Sequence, residues 1–266
     1  MMKLQGEAVL LEIKSVGVLA ILMGLSFPAG ADDGKGTVVL LHGLLNRPVM
    51  MKWFEVELKQ EGYNVVNWGY PSRSKTIEED ARDLDSALAK IKDTGTLHFV
   101  GFSLGGLIAR YYLTHYPPAR EGPVSNATGM SGVRPPKHMG RLVLIGPPNH
   151  GSERIEQLYP YGWFRKIWGS TTTWQLRASN KEFFNECGIP ACPFGIIAGG
   201  KGDSEGYSSV LPGDDDGAVS VESARLPGAV DFILLHHRHT FLLFGRDTVK
   251  NTVAFLNRGK FIHEQQ

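Results

Sequence analysis

Apolar and polar positions along this chain switch between two periods. Short β-branched or aromatic runs predict strands at Thr37 to Leu41, Tyr63 to Trp68, Thr96 to Phe102, Arg141 to Ile145, Phe194 to Ala198 and Asp231 to Leu235. Between the second and third runs, Ile77, Ala81, Leu84, Leu88 and Ile91 recur at alternating steps of four and three, with Asp and Glu placed on the opposite face. That spacing predicts a helix over Thr76 to Lys92 with one apolar face. Leu107 to His115 and Asp247 to Asn257 read as further helices, the second closing the domain. Strands alternating with helices predict an α/β fold: a mainly parallel sheet covered by helices on both faces. Residues 146 to 193 carry no strand signal, too long a gap for an ordinary connection, so a helical lid or cap is expected over about 151–190. Tyr159, Tyr161, Trp163, Phe164, Trp168 and Trp174 crowd this insertion, either as the lining of a substrate pocket or as its own core.

The N-terminal stretch follows a different rule. Val16 to Phe27 is uncharged and apolar, preceded by Lys3 and Lys14 (offset by Glu7 and Glu12) and followed by Pro28-Ala29-Gly30-Ala31. This reads as a signal peptide over residues 1–31 with cleavage before Asp32, and an uncleaved membrane anchor is the second reading. Residues 32–266 would then be the folded domain, exported to the periplasm or beyond. Cys187 and Cys192 are the only cysteines. In an exported chain they suit a small-loop disulfide, the other reading being two buried free thiols. Without a nearby histidine or a second pair they cannot complete a tetrahedral zinc site.

Composition adds two exclusions. Lys plus Arg number 28 against 27 Asp plus Glu, a net charge of +1, so no global field favours nucleic acid or an anionic surface. Glycine takes 32 of 266 positions, well above the ~7% average. With a full set of apolar residues and no short repeat, that excess means tight turns and close backbone approaches, not collagen or disorder.

The chemistry centres on Gly101-Phe102-Ser103-Leu104-Gly105, a G-x-S-x-G pattern that follows the third strand and leads into a helix. A serine on such a turn is a candidate nucleophile, and the small residues two before and two after it let neighbouring backbone approach. The alternative is a serine N-cap after a glycine-rich turn. A nucleophilic serine needs a base and an orienting carboxylate, here in the chain order Ser, acid, His. Asp214-Asp215-Asp216-Gly217 follows the fifth strand, and His236-His237-Arg238-His239 follows the sixth. Asp216 is the preferred acid because Gly217 permits the tight turn that aims it, with Asp215 as fallback. His239 is preferred as base because His236 and His237 abut the strand, where packing or solvent claims them. The backbone N–H groups of Leu104 and Leu44 are the expected oxyanion donors, with His42 organising the loop.

On these residues the chain resembles the α/β-hydrolase superfamily, lipase and esterase branch, over nearly all of residues 35 to 260. The resemblance is carried by His42-Gly43-Leu44, Gly101 to Gly106, Asp216-Gly217-Ala218-Val219 and His239-Thr240-Phe241. Ile145-Gly146-Pro147-Pro148-Asn149-His150-Gly151-Ser152 is similar to the strand-end segment before the lid of bacterial lipases. The resemblance implies Ser103 as nucleophile, His239 as base, Asp216 as orienter, and hydrolysis of a small-molecule or lipid ester through an acyl-enzyme. Contact with a lipid interface accompanies it, and the chemistry calls for no metal and no organic cofactor. Two departures are Phe102, where many lipases have His, and the segment from Gly151 to Cys187, whose sequence assigns it to no particular lid. Three other functions fit parts of the pattern: an acyltransferase on the same three residues, a peptidase or amidase, and a non-catalytic export-associated chaperone or binding protein.

Overall fold

Side chains that alternate along the strands build two separate cores, one on each face of a sheet. The computed structural model describes residues 35–91, 95–116 and 138–263; the leader expected over residues 1–31 lies outside them. The strands are β1 (Thr37–Leu41), β2 (Asn64–Trp68), β3 (Thr96–Phe102), β4 (His138–Ile145), β5 (Phe194–Gly199) and β6 (Asp231–Leu235). They form one sheet in the order β2-β1-β3-β4-β5-β6, and every pair is parallel. Helices are α1 (Lys52–Gln60), α2 (Ile77–Leu88), α3 (Leu104–His115), α4 (Glu153–Leu158), α5 (Gly162–Trp168), α6 (Ser170–Gln175), α7 (Lys181–Glu186), α8 (Val221–Ala224) and α9 (Arg246–Arg258).

Val39, Leu41, Phe99 and Leu144 point to the face covered by α2 and α3, while Val38, Leu40, Val100 and Val143 point to the face covered by α1 and α9. Each such side chain is fully buried, worth roughly 1.5–3 kcal/mol in transfer free energy. Both faces are covered, so the strands read as continuous apolar runs rather than as half-polar ones.

The helix expected over Thr76 to Lys92 spans only Ile77–Leu88. Thr76 is its N-cap in a reciprocal capping box: Thr76 Oγ1 accepts from Glu79 N at 3.2 Å and Glu79 Oε2 accepts from Thr76 N at 2.9 Å. The acids do not all lie on the outer face. Asp80 is buried between Ile77 and Ala81 on the apolar side, and neither carboxylate oxygen has a hydrogen-bond partner. Its desolvation raises the carboxyl to about 7.

The region after β4 is helical, as expected, but broken into the four short pieces α4 to α7. The two cysteines at its end are free and buried, and burial pushes the Cys187 thiol up to about 12 and that of Cys192 to about 11. Among the described residues no helix is long and apolar enough to cross a membrane.

Candidate active site

The strand order reverses between β1 and β3, since β2 lies on one side of β1 and all later strands on the other. A crevice at the carboxyl ends of such strands is the usual ligand position in open parallel sheets. Ser103 and the loop after β1 both sit there.

Ser103 occupies the turn from β3 into α3 with φ 52° and ψ −120°, a sparsely populated conformation for a residue with a Cβ. Two glycines make that turn possible. A Cβ on Gly101 would meet Gly105 O and Gly106 Cα at 2.6 Å, and one on Gly105 would collide with the carbonyls of Leu41 and His42. The start of α3 is thereby pressed against the end of β1. Ser103 N donates to Ile145 O at 2.8 Å, which fixes the turn against β4 as well.

His239 begins a 3-10 helix (His239–Phe244) beyond β6. Its Nδ1 donates to Asp216 Oδ2 at 2.6 Å, and its Nε2 accepts from Ser103 Oγ at 3.0 Å. A backbone bond doubles the first link, His239 N to Asp216 O at 2.8 Å. The ring packs beside Phe102, with centroids 4.9 Å apart. Asp216 is almost fully buried, and its other oxygen accepts from Ala218 N at 2.9 Å and Val219 N at 2.8 Å.

The neighbouring acids serve the backbone. Asp214 accepts from the N–H groups of Lys201 and Gly202, and Asp215 from those of Ser208 and Gly217. Each carboxylate of the triplet therefore pins a different piece of loop, and only Asp216 also reaches a histidine on the site. His237 is bonded to Asp247 at the start of α9, and His236 is exposed.

The loop after β1 is held from below. His42 is buried, stacks on Tyr70 at 4.2 Å, and its carbonyl accepts from Tyr70 Oη. Burial holds the imidazole below its ordinary pKa, and its Nδ1 donates to Gly43 O, so His42 braces the loop and has no contact with Ser103. Leu45 takes a left-handed φ of 61° and gives its N–H to Ser72 Oγ at 3.1 Å. Leu44 lines the cavity that holds Ser103, and Leu104, as the first residue of α3, has an N–H outside the helical ladder.

Above Ser103 lies a cavity of about 420 Å³. Leu44, Phe102, Ile155, Leu176 and Val219 supply apolar wall, joined by Phe164 and Trp168 of α5. The aromatics of the insertion thus divide: Phe164 and Trp168 line the cavity, Tyr159 and Trp174 stack on Arg177, and Tyr161 and Trp163 are exposed.

A family model described as alpha/beta hydrolase fold matches residues 36–160. The chain has the α/β-hydrolase fold. Among solved structures, this chain is similar to the mature Bacillus licheniformis lipase BlEst2, at 19% identity over 86% of this chain and 94% of that one, TM-score 0.60. It is also similar to the metagenomic carboxyl esterase MGS0156, at 18% identity over 82% and 68% of the two chains, TM-score 0.58. A Listeria innocua gene product follows at 16% identity, 86% and 99% coverage and TM-score 0.56. Searched by sequence, the curated proteins contain no significant match. The family match ends just beyond α4, so Asp216 and His239 fall outside it.

Several residues of the site escaped the sequence reading. Tyr70 and Ser72 brace the loop after β1. Arg110, in the apolar face of α3, is buried and donates to Asn149 O and Oδ1, Phe184 O and Gly188 O. A lone arginine inside Leu107 to Leu113 is itself a signal that a set of buried acceptors exists, though not which ones.

Proposed function

We propose that this α/β-hydrolase cleaves carboxylic esters with Ser103 as nucleophile, His239 as general base and Asp216 as its orienting acid. The observation that carries the proposal is the unbroken hydrogen-bond chain from Ser103 Oγ through His239 to Asp216, opening on an apolar cavity. That the similar structures include a lipase and a carboxyl esterase agrees with it.

Ser103 Oγ attacks the ester carbonyl carbon while its proton passes to His239 Nε2. The negative charge that develops on the carbonyl oxygen falls to the Leu44 and Leu104 N–H groups. Collapse breaks the bond to the alcohol oxygen, which leaves with the proton from Nε2, and Ser103 carries the acyl group. A water molecule then gives a proton to Nε2 and attacks the acyl carbon. Collapse of that second intermediate returns the proton to Ser103 Oγ and releases the acid. Asp216 holds Nδ1 protonated throughout, so that Nε2 is the free acceptor. The apolar wall favours a neutral acyl chain in the cavity.

Burst kinetics on a p-nitrophenyl ester, with fluorophosphonate labelling of wild type and Ser103→Ala, test the assignment. Wild type should label once per chain and Ser103→Ala not at all; equal labelling would sink it. Export on the leader belongs to the same reading, and a secreted chain beginning at Asp32 is the expected product by mass.

A further inference from the structure

The cavity above Ser103 carries more charge than a neutral ester requires. Two arginines line it, Arg154 of α4 and Arg238 just before His239, and both are exposed. Neither forms an ion pair among the described residues. Among the described residues, the only carboxylate in the lining is Asp216, which is buried and committed to His239, Ala218 N and Val219 N. Of the acids next to Arg154, Glu156 is paired with Arg177, and Glu153 accepts from Ser220 Oγ through one oxygen while its other oxygen is buried without a hydrogen-bond partner and makes no ion pair with Arg154.

The two arginines flank one seam. Ser152 Oγ donates to Ala218 O at 2.8 Å, joining the start of the insertion to the acid loop. Arg154 stands two residues beyond that bond, and Arg238 Nη1 lies over Gly217 on its other side. Arg238 is held there by stacking on Tyr207, 4.7 Å from the ring, and Tyr207 in turn donates to His236 O. A guanidinium fixed in this way loses little freedom on binding an oxyanion, which it can grip with two parallel N–H groups.

We infer that the preferred ester carries an anionic group, a carboxylate or phosphate, and that Arg154 and Arg238 bind it while the apolar wall takes the acyl chain. The inference rests on the ester-hydrolase reading and narrows its substrate class. Two excess cations at the mouth of a partly apolar cavity act where water competes less than on an open surface, so they discriminate between substrates of equal shape.

The test compares esters of matched length. On the acyl side, mono-p-nitrophenyl suberate is set against p-nitrophenyl octanoate; on the alcohol side, octanoyl glycerol phosphate against octanoyl glycerol. At low salt the wild type should favour the anionic member of at least one pair by about tenfold in kcat/KM, mainly through KM, and high salt should shrink the ratio. Arg154→Gln and Arg238→Gln should each cut that ratio about threefold and the double variant should bring it near unity, while Arg82→Gln, at an exposed position of α2, leaves it intact. A preference on the acyl side places the charge on the acid, one on the alcohol side on the leaving group, and either supports the inference. Equal rates within both pairs, or a ratio that survives the double substitution, overturns it while leaving ester hydrolysis standing. A wild type that cleaves none of the four overturns both readings together.

Discussion

The strand ends that carry Ser103, Asp216 and His239 and the insertion of α4 to α7 above them are fastened in different ways. At the strand ends, backbone bonds do most of the work: Ser103 N to Ile145 O, His239 N to Asp216 O, and a ladder of loop N–H groups onto Asp214, Asp215 and Asp216. The insertion buries Leu176, Phe183 and Phe184 in the core, and its polar fastenings are separate side chains. Arg110 reaches Asn149, Phe184 and Gly188; Gln175 accepts from Ile77 N at 2.8 Å and donates to Glu78; Thr172 donates to Lys75 O. Geometry that comes from the sheet resists single substitutions, whereas geometry that comes from one side chain fails with it.

The sharpest break within the strand ends separates neighbouring acids. Asp216→Asn should lower kcat by roughly 10³–10⁴ with little change in Tm, because the amide can still accept from Ala218 and Val219 but no longer fixes the His239 tautomer. Asp215→Asn should cost about tenfold or less, through loosening of the loop alone. Steady-state kinetics beside thermal melts would show it, and the opposite order at equal Tm would make Asp215 the orienting acid.

Next in size is the joint between the two regions. Arg110→Met removes every donor to three buried carbonyls, and stranding those groups should cost about 3–5 kcal/mol. For a domain of this size that is a fall in Tm of roughly 10 °C. Arg110→Lys should recover little, since one ammonium cannot span three elements. A melt within about 2 °C of wild type would mean the insertion has other, stronger anchors.

Asp80 is buried on α2, near enough to Tyr70 to raise its hydroxyl further than burial alone does, and its effect should depend on pH. Burial raises its carboxyl from the ordinary 3.8 to about 7. Below about 4 both folded and unfolded forms are protonated and no penalty exists. Between about 4 and 7 the unfolded chain ionises first, so stability falls as pH rises, and above 7 the loss is complete. His98 works the other way: burial, helped by Arg141, holds it down to about 4, so acidification below about 6.5 costs stability. The two partly cancel in the wild type. Asp80→Asn should therefore gain relative to wild type by about 2–4 kcal/mol between pH 4.5 and pH 8 in denaturant titrations. A gain equal at both pH values would remove Asp80 as the titrating group.

The same contrast decides what could be read before the structure. Strands β1, β3 and β6 stand where the β-branched runs put them, because backbone pairing depends on the strand's own residues. The turn at Ser103 was legible from five consecutive positions, and the approach of Asp216 and His239 to it from chain order after β5 and β6, since the sheet itself brings those ends together. The insertion was legible only as helical. In α5, Phe164 and Trp168 face the cavity while Trp163 and Ile167 face out, but a helix of seven residues is too short for periodicity to assign its faces. Helix α1 went unread because just three of its residues are buried, one of them Glu55. Asp80 shows how a charge on an apolar face hides: Ile77, Asp80, Ala81 and Leu84 share one stripe, and a reading that sorts by polarity moves the acid to the wrong side.

The smallest expected effect tests whether the two regions are mechanically coupled at all. Ser152 Oγ accepts from Ile155 N at 3.2 Å as the N-cap of α4, and donates to Ala218 O at 2.8 Å. Helix α4 has six residues and none of them is buried, so its start depends on that cap more than a packed helix would. Ser152→Ala should cost about 1 kcal/mol in stability. If the Ala218 bond also steadies the loop that holds Asp216, kcat/KM on a small ester should fall by about two- to fivefold. Ser152→Thr, which keeps the hydroxyl, should recover most of both losses. A stability loss with unchanged kinetics would show that the insertion only roofs the cavity, and that the arrangement of Asp216 and His239 is complete without it.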